Sequence, residues 1–295
     1  MAVIPTTPQM ASGVARVMVA GAGTMGRGIA QVCAEAGYAT LMFDADHAAL
    51  ARGRDAIDAA WVKLVDKGRK TADEAAACRA RLAAAAGPQD AAGVDLVIEA
   101  IYETLDAKVA LFRALDAALR PGAILASNTS SISITRLAAA TSDPGRFVGL
   151  HFFNPVPLLP LVEVVRGLRT TDATADRAVA FARSLGKSPV TVNDAPGFVA
   201  NRILLPMINE AIFTLSEGVA TREAIDEVMK LGMSHPMGPL ALADLIGLDV
   251  CLDILQTLHR DFGDPKYRPA PLLARMVAAG ALGRKSGEGF YRYDG

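Results

Sequence analysis

The chain has 295 residues, of which 52% are apolar and 21% charged, and its net charge at pH 7 is −1. That length exceeds what one core usually fills, so one large or two modest domains are expected. The near-neutral balance argues against nucleic acid or an anionic membrane as partner. Cys33, Cys78 and Cys251 are odd in number and far apart, with no C-x-x-C pair. They read as reduced thiols of a cytoplasmic protein, with no disulfide framework and no zinc site. The opening MAVIPTTPQMASG lacks a basic region followed by an apolar core, so it reads as a loose tail and not a signal peptide. No apolar run approaches membrane-spanning length.

The first half alternates strand and helix. Ala15 to Ala20 is a short apolar run with the profile of a buried strand. Gly21-Ala22-Gly23-Thr24-Met25-Gly26 follows, then a helix from Arg27 to Ala36 and a strand from Thr40 to Phe43 that ends at Asp44. This is G-x-G-x-x-G in its meaningful context, with a strand before it, a helix after it and an acid at the end of the second strand. Gly21 permits the tight turn, Gly23 lets a pyrophosphate approach the backbone, and Gly26 lets the helix pack close. The helix N-terminus offers free N–H groups to phosphates, which makes Gly21, Gly23, Thr24, Met25 and Gly26 the candidate contacts. Asp44 is placed to accept hydrogen bonds from both adenosine ribose hydroxyls. A carboxylate there repels a 2′-phosphate, so NAD is expected rather than NADP. The bland alternative is a strand–helix turn that binds no nucleotide.

A long helix is expected over 47–70, with Leu50, Ile57, Trp61 and Leu64 on one face, and Thr71-Ala-Asp-Glu starts the next with a cap-like signature. Strands are expected over 95–99, 123–126, 147–150, 161–165 and 189–192, with a helix over 105–119 stopped by Pro121-Gly122. Repeated strand–helix units with continuous apolar strands predict a mostly parallel sheet covered on both faces. After Asp194-Ala195-Pro196-Gly197 the strand signal ends. Helices are expected over 199–216, with Pro206 inside, over 221–231 capped by Thr221, and over 238–260 with a break near Gly247. The fold class is therefore α/β, a Rossmann-type doubly wound sheet (1–193) followed by an all-α domain (194–295). The helical half is so apolar that it predicts burial against the first domain or a second subunit, and a homodimer is expected.

The segment His151-Phe152-Phe153-Asn154-Pro155 to Val165 carries a histidine and Glu163 in apolar surroundings. His151 is expected just after a strand, at the carboxyl end of the sheet where ligands of such folds bind, beside the Ser127–Ser131 turn. A histidine exchanges protons near neutral pH, and a carboxylate orients its ring. From these residues alone two readings stand: a catalytic pair, or a core histidine with a strand glutamate facing water. The other histidines, His47, His235 and His259, show no metal-pair spacing, so no metal is expected. No G-x-S-x-G elbow accompanies the serines, which argues against a serine hydrolase.

The segments GAGTMGRGIAQV, SNTSSISIT, GLHFFNPVP, LVEVV, DAPGFVANR, HPMGPLALADLIGLD and GEGFYRY span about residues 15–293. Together they resemble the short-chain L-3-hydroxyacyl-CoA dehydrogenases, called 3-hydroxybutyryl-CoA dehydrogenases in bacteria. The resemblance implies NAD-dependent interconversion of (S)-3-hydroxyacyl-CoA and 3-ketoacyl-CoA. It makes His151 the general base and Glu163 its orienter, with Ser130 and Asn201 near the reacting oxygen. Asn201 falls in the first turn of the helical domain, which puts the expected active site between domains. Asp44, Glu103, Lys108, Asn128, Asn154 and Lys285, with Ser130, match cofactor-contacting positions. Lys67 matches a position that meets coenzyme A, with Lys63, Arg69 and Lys70 nearby; the bland alternative for these is a solvated helix end. The chain departs from many relatives at Pro160, where they carry lysine. The related L-gulonate and carnitine dehydrogenases have proline before this strand, and they act on free acids. They differ after the catalytic histidine, where Phe152-Phe153 here follows the acyl-CoA enzymes. An acyl-CoA is therefore the expected substrate and a free 3-hydroxy acid the alternative. A non-catalytic dinucleotide-binding protein on the same fold is the remaining class.

Overall fold

A computed structural model describes residues 12–293. Most of the expected N-terminal tail, up to residue 11, lies outside the described residues. The chain divides into two compact units, Met1–Asp194 and Ala195–Gly295.

Among the described residues the first unit is built on eight strands: β1 (Arg16–Ala20), β2 (Ala39–Phe43), β3 (Leu82–Ala84), β4 (Leu96–Glu99), β5 (Ile124–Ser127), β6 (Phe147–Phe152), β7 (Leu161–Arg166) and β8 (Ser188–Asn193). They form one sheet in the order β3-β2-β1-β4-β5-β6-β7-β8. All neighbours are parallel except β6 and β7, which run antiparallel. Its helices are α1 (Thr24–Glu35), α2 (His47–Asp66), α3 (Ala72–Arg81), α4 (Leu105–Ala118), α5 (Ile134–Ala138) and α6 (Asp172–Ser184). The order reverses on either side of β1 and β4, which is where doubly wound sheets open a crevice beyond their carboxyl ends. β1, β4 and β5 are buried along nearly their whole length, as central strands covered on both faces must be. Ile29, Ile57, Trp61, Ile98, Ile124 and Phe181 lie in the core that covers them.

Four local differences from the sequence reading have physical causes. Helix α1 begins at Thr24, not Arg27, because Gly21 at φ 114° turns the chain straight into the first helical residues. β6 continues through His151 and Phe152, because pairing with β7 carries the ladder past the expected end at Leu150. β3, α5 and α6 are additional elements, of which α5 and β3 are too short to show a period. Helix α6 is amphipathic but opens on polar residues, with Thr171 accepting from the Thr174 N–H. β8 has no fully buried residue and forms one edge of the sheet. The expected cap at Thr71 is a full capping box with Glu74.

The second unit consists of α7 (Ala200–Ser216), α8 (Arg222–Gly232), α9 (Pro239–Ile246), α10 (Leu248–Phe262) and α11 (Pro271–Ala278), with Leu205, Ile208, Ile212, Leu240, Leu248 and Leu255 in its core. Pro206 lies inside α7. Gly247, at φ 105°, separates α9 from α10. Two buried carboxylates organise the rest. Asp226 accepts the Leu240 and Ala241 N–H groups at the start of α9 (2.8 and 3.0 Å). Asp244 accepts the N–H groups of Phe290 and Tyr291 (both 2.9 Å) and the Tyr293 hydroxyl (3.0 Å), tying the C-terminal segment to α9. Among the described residues no helix is long and apolar enough to cross a membrane.

Candidate active site

The glycine turn is shaped for a ligand that approaches its backbone. The Gly21 N–H donates to Phe43 O at 2.7 Å. A Cβ on Gly21 would lie 2.3 Å from Ala100 O, and one on Gly26 would lie 1.9 Å from Gly21 O, so both glycines are required by the fold. A Cβ on Gly23 would meet nothing within 4 Å. Packing therefore does not explain that glycine, and open space above it is what a pyrophosphate needs. Gly23 and Thr24 are exposed at the N-terminus of α1, Met25 is half-buried and Gly26 is buried. Asp44 Oδ2 accepts the Ala22 N–H (2.8 Å) and Oδ1 the Asp46 N–H (2.9 Å). Those bonds hold the carboxylate beside the turn with lone pairs left for hydroxyl groups.

His151 and Glu163 stand opposite each other in the β6–β7 ladder. His151 Nδ1 lies 2.8 Å from Glu163 Oε2, and the two residues are 7% and 2% exposed. Cross-strand partners point to the same face of a sheet, so the register alone brings these side chains together. The ring also packs on Phe153, centroid to centroid 4.5 Å.

The turn after β5 is held from below by two acids. Glu99, at the end of β4, is fully buried. Its carboxylate takes the Lys108 ammonium (2.5 Å), the Ile101 N–H (2.7 Å) and the Ser127 hydroxyl (2.6 Å). Burial pushes the Glu99 carboxyl up in pKa, against the opposing pull of Lys108 and the hydrogen bonds. Glu103 accepts the Thr129 hydroxyl, the Ser130 and Ser131 N–H groups (3.0 and 3.3 Å) and the Ser131 hydroxyl (3.2 Å). Burial alone would raise this carboxyl too, but Lys108, 3.1 Å away, and the bonds from Thr129 and Ser130 hold it below its usual range. Lys108 is 1% exposed, and its ammonium lies between the two carboxylates. Asn128 Oδ1 accepts the Phe152 N–H at 2.9 Å, joining this turn to the strand that carries His151.

A cavity of about 260 Å³ opens between the first turns of α1, helix α2 and the loop after β6, where Thr24, Arg27, Ala60, Asn154 and Val156 line it. Ala56, Ala60 and Lys63 follow one another along a single face of α2 and Lys67 caps its C-terminus, so that face runs from this cavity to the basic helix end. Lys63, Lys67 and Arg69 are exposed, while Lys70 sits 4.0 Å from Glu35. The loop after β6 is clamped by the buried Lys187, whose ammonium donates to Val156 O (2.5 Å) and Leu159 O (2.9 Å). Pro160 follows it directly and accepts the Ser188 N–H at 2.8 Å.

The first unit thus holds all the anticipated site residues except two. Asn201 is buried in the first turn of α7, and Lys285 is exposed with its ammonium 2.5 Å from Asp249 Oδ2; both belong to the second unit. Glu99, Ser127 and Lys187 were missed by the sequence reading. For Glu99 a signal was there, an acid closing the otherwise apolar strand Leu96-Val-Ile-Glu. For Lys187 nothing local distinguishes it from a surface lysine. All three cysteines are buried, and burial pushes their thiols up, which makes them poor nucleophiles. Among the described residues no group of three or more potential ligands is placed to hold a metal ion.

Comparison with known proteins places these features in company. Residues 16–195 match the model of the 3-hydroxyacyl-CoA dehydrogenase NAD-binding domain, and residues 197–293 match that of its C-terminal domain. The chain is 53% identical over 279 residues to a probable 3-hydroxybutyryl-CoA dehydrogenase of Bacillus subtilis, covering 95% of this chain and 97% of that one. It is 52% identical to the 3-hydroxybutyryl-CoA dehydrogenase of Bradyrhizobium diazoefficiens, over 97% and 98% of the two chains. The crystal structure of (S)-3-hydroxybutyryl-CoA dehydrogenase from Ralstonia eutropha superposes with a TM-score of 0.92 at 50% identity, covering 96% of this chain and all of that one.

Proposed function

Since the chain belongs to the NAD-dependent 3-hydroxyacyl-CoA dehydrogenase family, we propose that it interconverts a short (S)-3-hydroxyacyl-CoA, such as the 3-hydroxybutyryl thioester, and its 3-keto product. The observation that carries this reading is the buried His151–Glu163 pair. With Nδ1–H donated to the Glu163 carboxylate, the ring keeps a lone pair on Nε2. Nε2 takes the proton of the 3-hydroxyl group as the C3–O bond becomes a carbonyl, and Glu163 balances the imidazolium that results. In the reverse direction Nε2–H returns the proton to the carbonyl oxygen. The chemistry that bound NAD would supply is an acceptor for the hydride that leaves C3. The α1 N-terminus and Gly23 would hold its pyrophosphate and Asp44 its adenosine ribose, and Asn128, Asn154, Glu103 and Lys285 would contribute further to its seat, with the buried Lys108 acting through Glu103, whose carboxylate it holds. Ser130 and Asn201 hydrogen-bond the substrate near the reacting oxygen.

The coenzyme A portion is assigned to the α2 face, where the cavity beside Ala60 leads toward Lys63 and Lys67. These cations, with Arg69, offer a phosphate charge-assisted hydrogen bonds. Pro160 favours the second reading, a free 3-hydroxy acid as substrate. The deciding experiment follows NADH consumption with acetoacetyl-CoA, free acetoacetate and a panel of free 3-keto acids. Turnover with the thioester alone supports the first reading, and turnover with a free acid alone replaces it by the second.

The exposed Ile203, Val228, Leu231 and Met233 of the helical unit support a homodimer formed through it. A monomer mass in light scattering at micromolar concentration refutes the dimer.

A further inference from the structure

Glu99 and Ser127 have no part in the mechanism just described, yet both are fully buried and polar. A buried carboxylate is costly unless its lone pairs are filled, and here a cation, a main-chain N–H and a hydroxyl fill them. The Ser127 hydroxyl donates to Glu99 and in turn accepts the Thr129 N–H at 3.2 Å. On the other side of the same turn, Glu103 accepts the Thr129 hydroxyl and the N–H groups of Ser130 and Ser131. Lys108 joins the two acids, 2.5 Å from Glu99 and 3.1 Å from Glu103. The Ser127–Ser131 turn is therefore gripped from both sides by carboxylates that share one ammonium. A turn held by so many bonds leaves Ser130, which follows its central residue Thr129, little freedom to move.

We propose that Glu99, through Ser127 and Lys108, is the positioning residue that sets Ser130 against the reacting oxygen of the substrate. The inference rests on the functional reading above. It adds a chain of influence that begins in the floor of the sheet, at the end of β4, and ends at a substrate contact. Asn128 is anchored separately, by its N–H to Glu99 O at 2.8 Å and by its Oδ1 to the Phe152 N–H at 2.9 Å. Loosening the Ser127 hydroxyl should thus disturb Ser130 while sparing the cofactor contact at Asn128.

The test is a double-mutant cycle on acetoacetyl-CoA reduction with NADH, using wild type, Ser127→Ala, Ser130→Ala and the double variant. The expected result is a drop in kcat of roughly 3- to 10-fold for Ser127→Ala, the rate equivalent of one hydrogen bond. KM for NADH should stay within about twofold of the wild type, and Ser127→Ala should cause no further loss in the Ser130→Ala background, since residues acting as one unit are not additive. Unchanged kcat in Ser127→Ala, or losses that multiply, overturns the proposal. Glu99→Gln keeps the shape, removes the charge and is expected to show the same non-additivity; the Ser127→Ala cycle decides alone if that buried variant does not fold. Absence of turnover in the wild type refutes the functional reading, and this inference falls with it.

Discussion

His151 Nδ1 and Glu163 Oε2 lie 2.8 Å apart although 12 residues separate them, because β6 and β7 run antiparallel and pair these two positions directly. A one-residue slip in that register would send one side chain to the opposite face of the sheet. His151→Ala is expected to lose nearly all turnover while retaining NADH binding, measured by fluorescence titration. Glu163→Ala should lose most activity, roughly 10²- to 10⁴-fold, because an unoriented base acts poorly. Near-normal kcat in both variants contradicts the assignment.

Gly23 and Gly26 should respond differently to the same substitution. Gly23→Ala is expected to fold normally, since the added methyl meets nothing, but to weaken NADH binding by at least about tenfold as the methyl enters the phosphate path. Gly26→Ala places its methyl against Gly21 O and should lower the melting temperature as well. Equal melting temperatures with equal NADH affinity in both variants would show that the turn is not used for phosphate.

Asp44 should set the choice of cofactor. Its carboxylate is pinned beside the glycine turn by the Ala22 and Asp46 N–H groups, and on the proposed cofactor seat its charge would oppose a 2′-phosphate. The kcat/KM ratio for NADH over NADPH is expected to be well above one in the wild type and to fall by roughly tenfold or more in Asp44→Ala. A wild type that prefers NADPH rejects this role.

Asp244 should control the stability of the helical unit. Asp244→Ala would leave a buried and a half-buried main-chain N–H group and a tyrosine hydroxyl without their acceptor. A loss of about 3 kcal/mol in urea unfolding is expected. A change under about 0.5 kcal/mol would mean that the C-terminal segment contributes little to folding.

Asp95 should make stability depend on acid. Burial would raise its carboxyl, but the Ala15 and Arg16 N–H groups and Arg120 outweigh it and hold the pKa below the usual carboxylate range. A carboxyl depressed in the folded state binds its proton less readily there than in the unfolded chain. Its contribution is thus present above the unfolded value of about 3.9 and is lost as pH falls through the lower folded value. The difference in unfolding free energy between wild type and Asp95→Asn should be constant from about pH 7 to 5 and shrink toward pH 3. A constant difference down to pH 3 would remove Asp95 from the acid response.

The strand–glycine–helix–strand–acid order was legible along the chain because each part is local. Gly21 and Gly26 answer to steric demands of one turn, Asp44 ends the strand beside it, and the Thr71 cap needs only its neighbour Glu74. The alternation of apolar strands and helices carried the fold class for the same reason: periodicity within a dozen residues reports which face is buried. Relations between distant segments were not legible from composition or period. The meeting of His151 with Glu163 depends on the antiparallel turn-back at β7, which a run of apolar strands does not distinguish from another parallel crossover. The grip of Glu99, Lys108 and Glu103 on the serine turn depends on β4 and β5 lying side by side, and the clamp of Lys187 depends on β8 reaching the loop after β6. Local geometry is encoded by adjacent residues, whereas pairing of buried charges is decided by which strands share an edge, and that emerges only when the whole sheet has closed its hydrogen bonds.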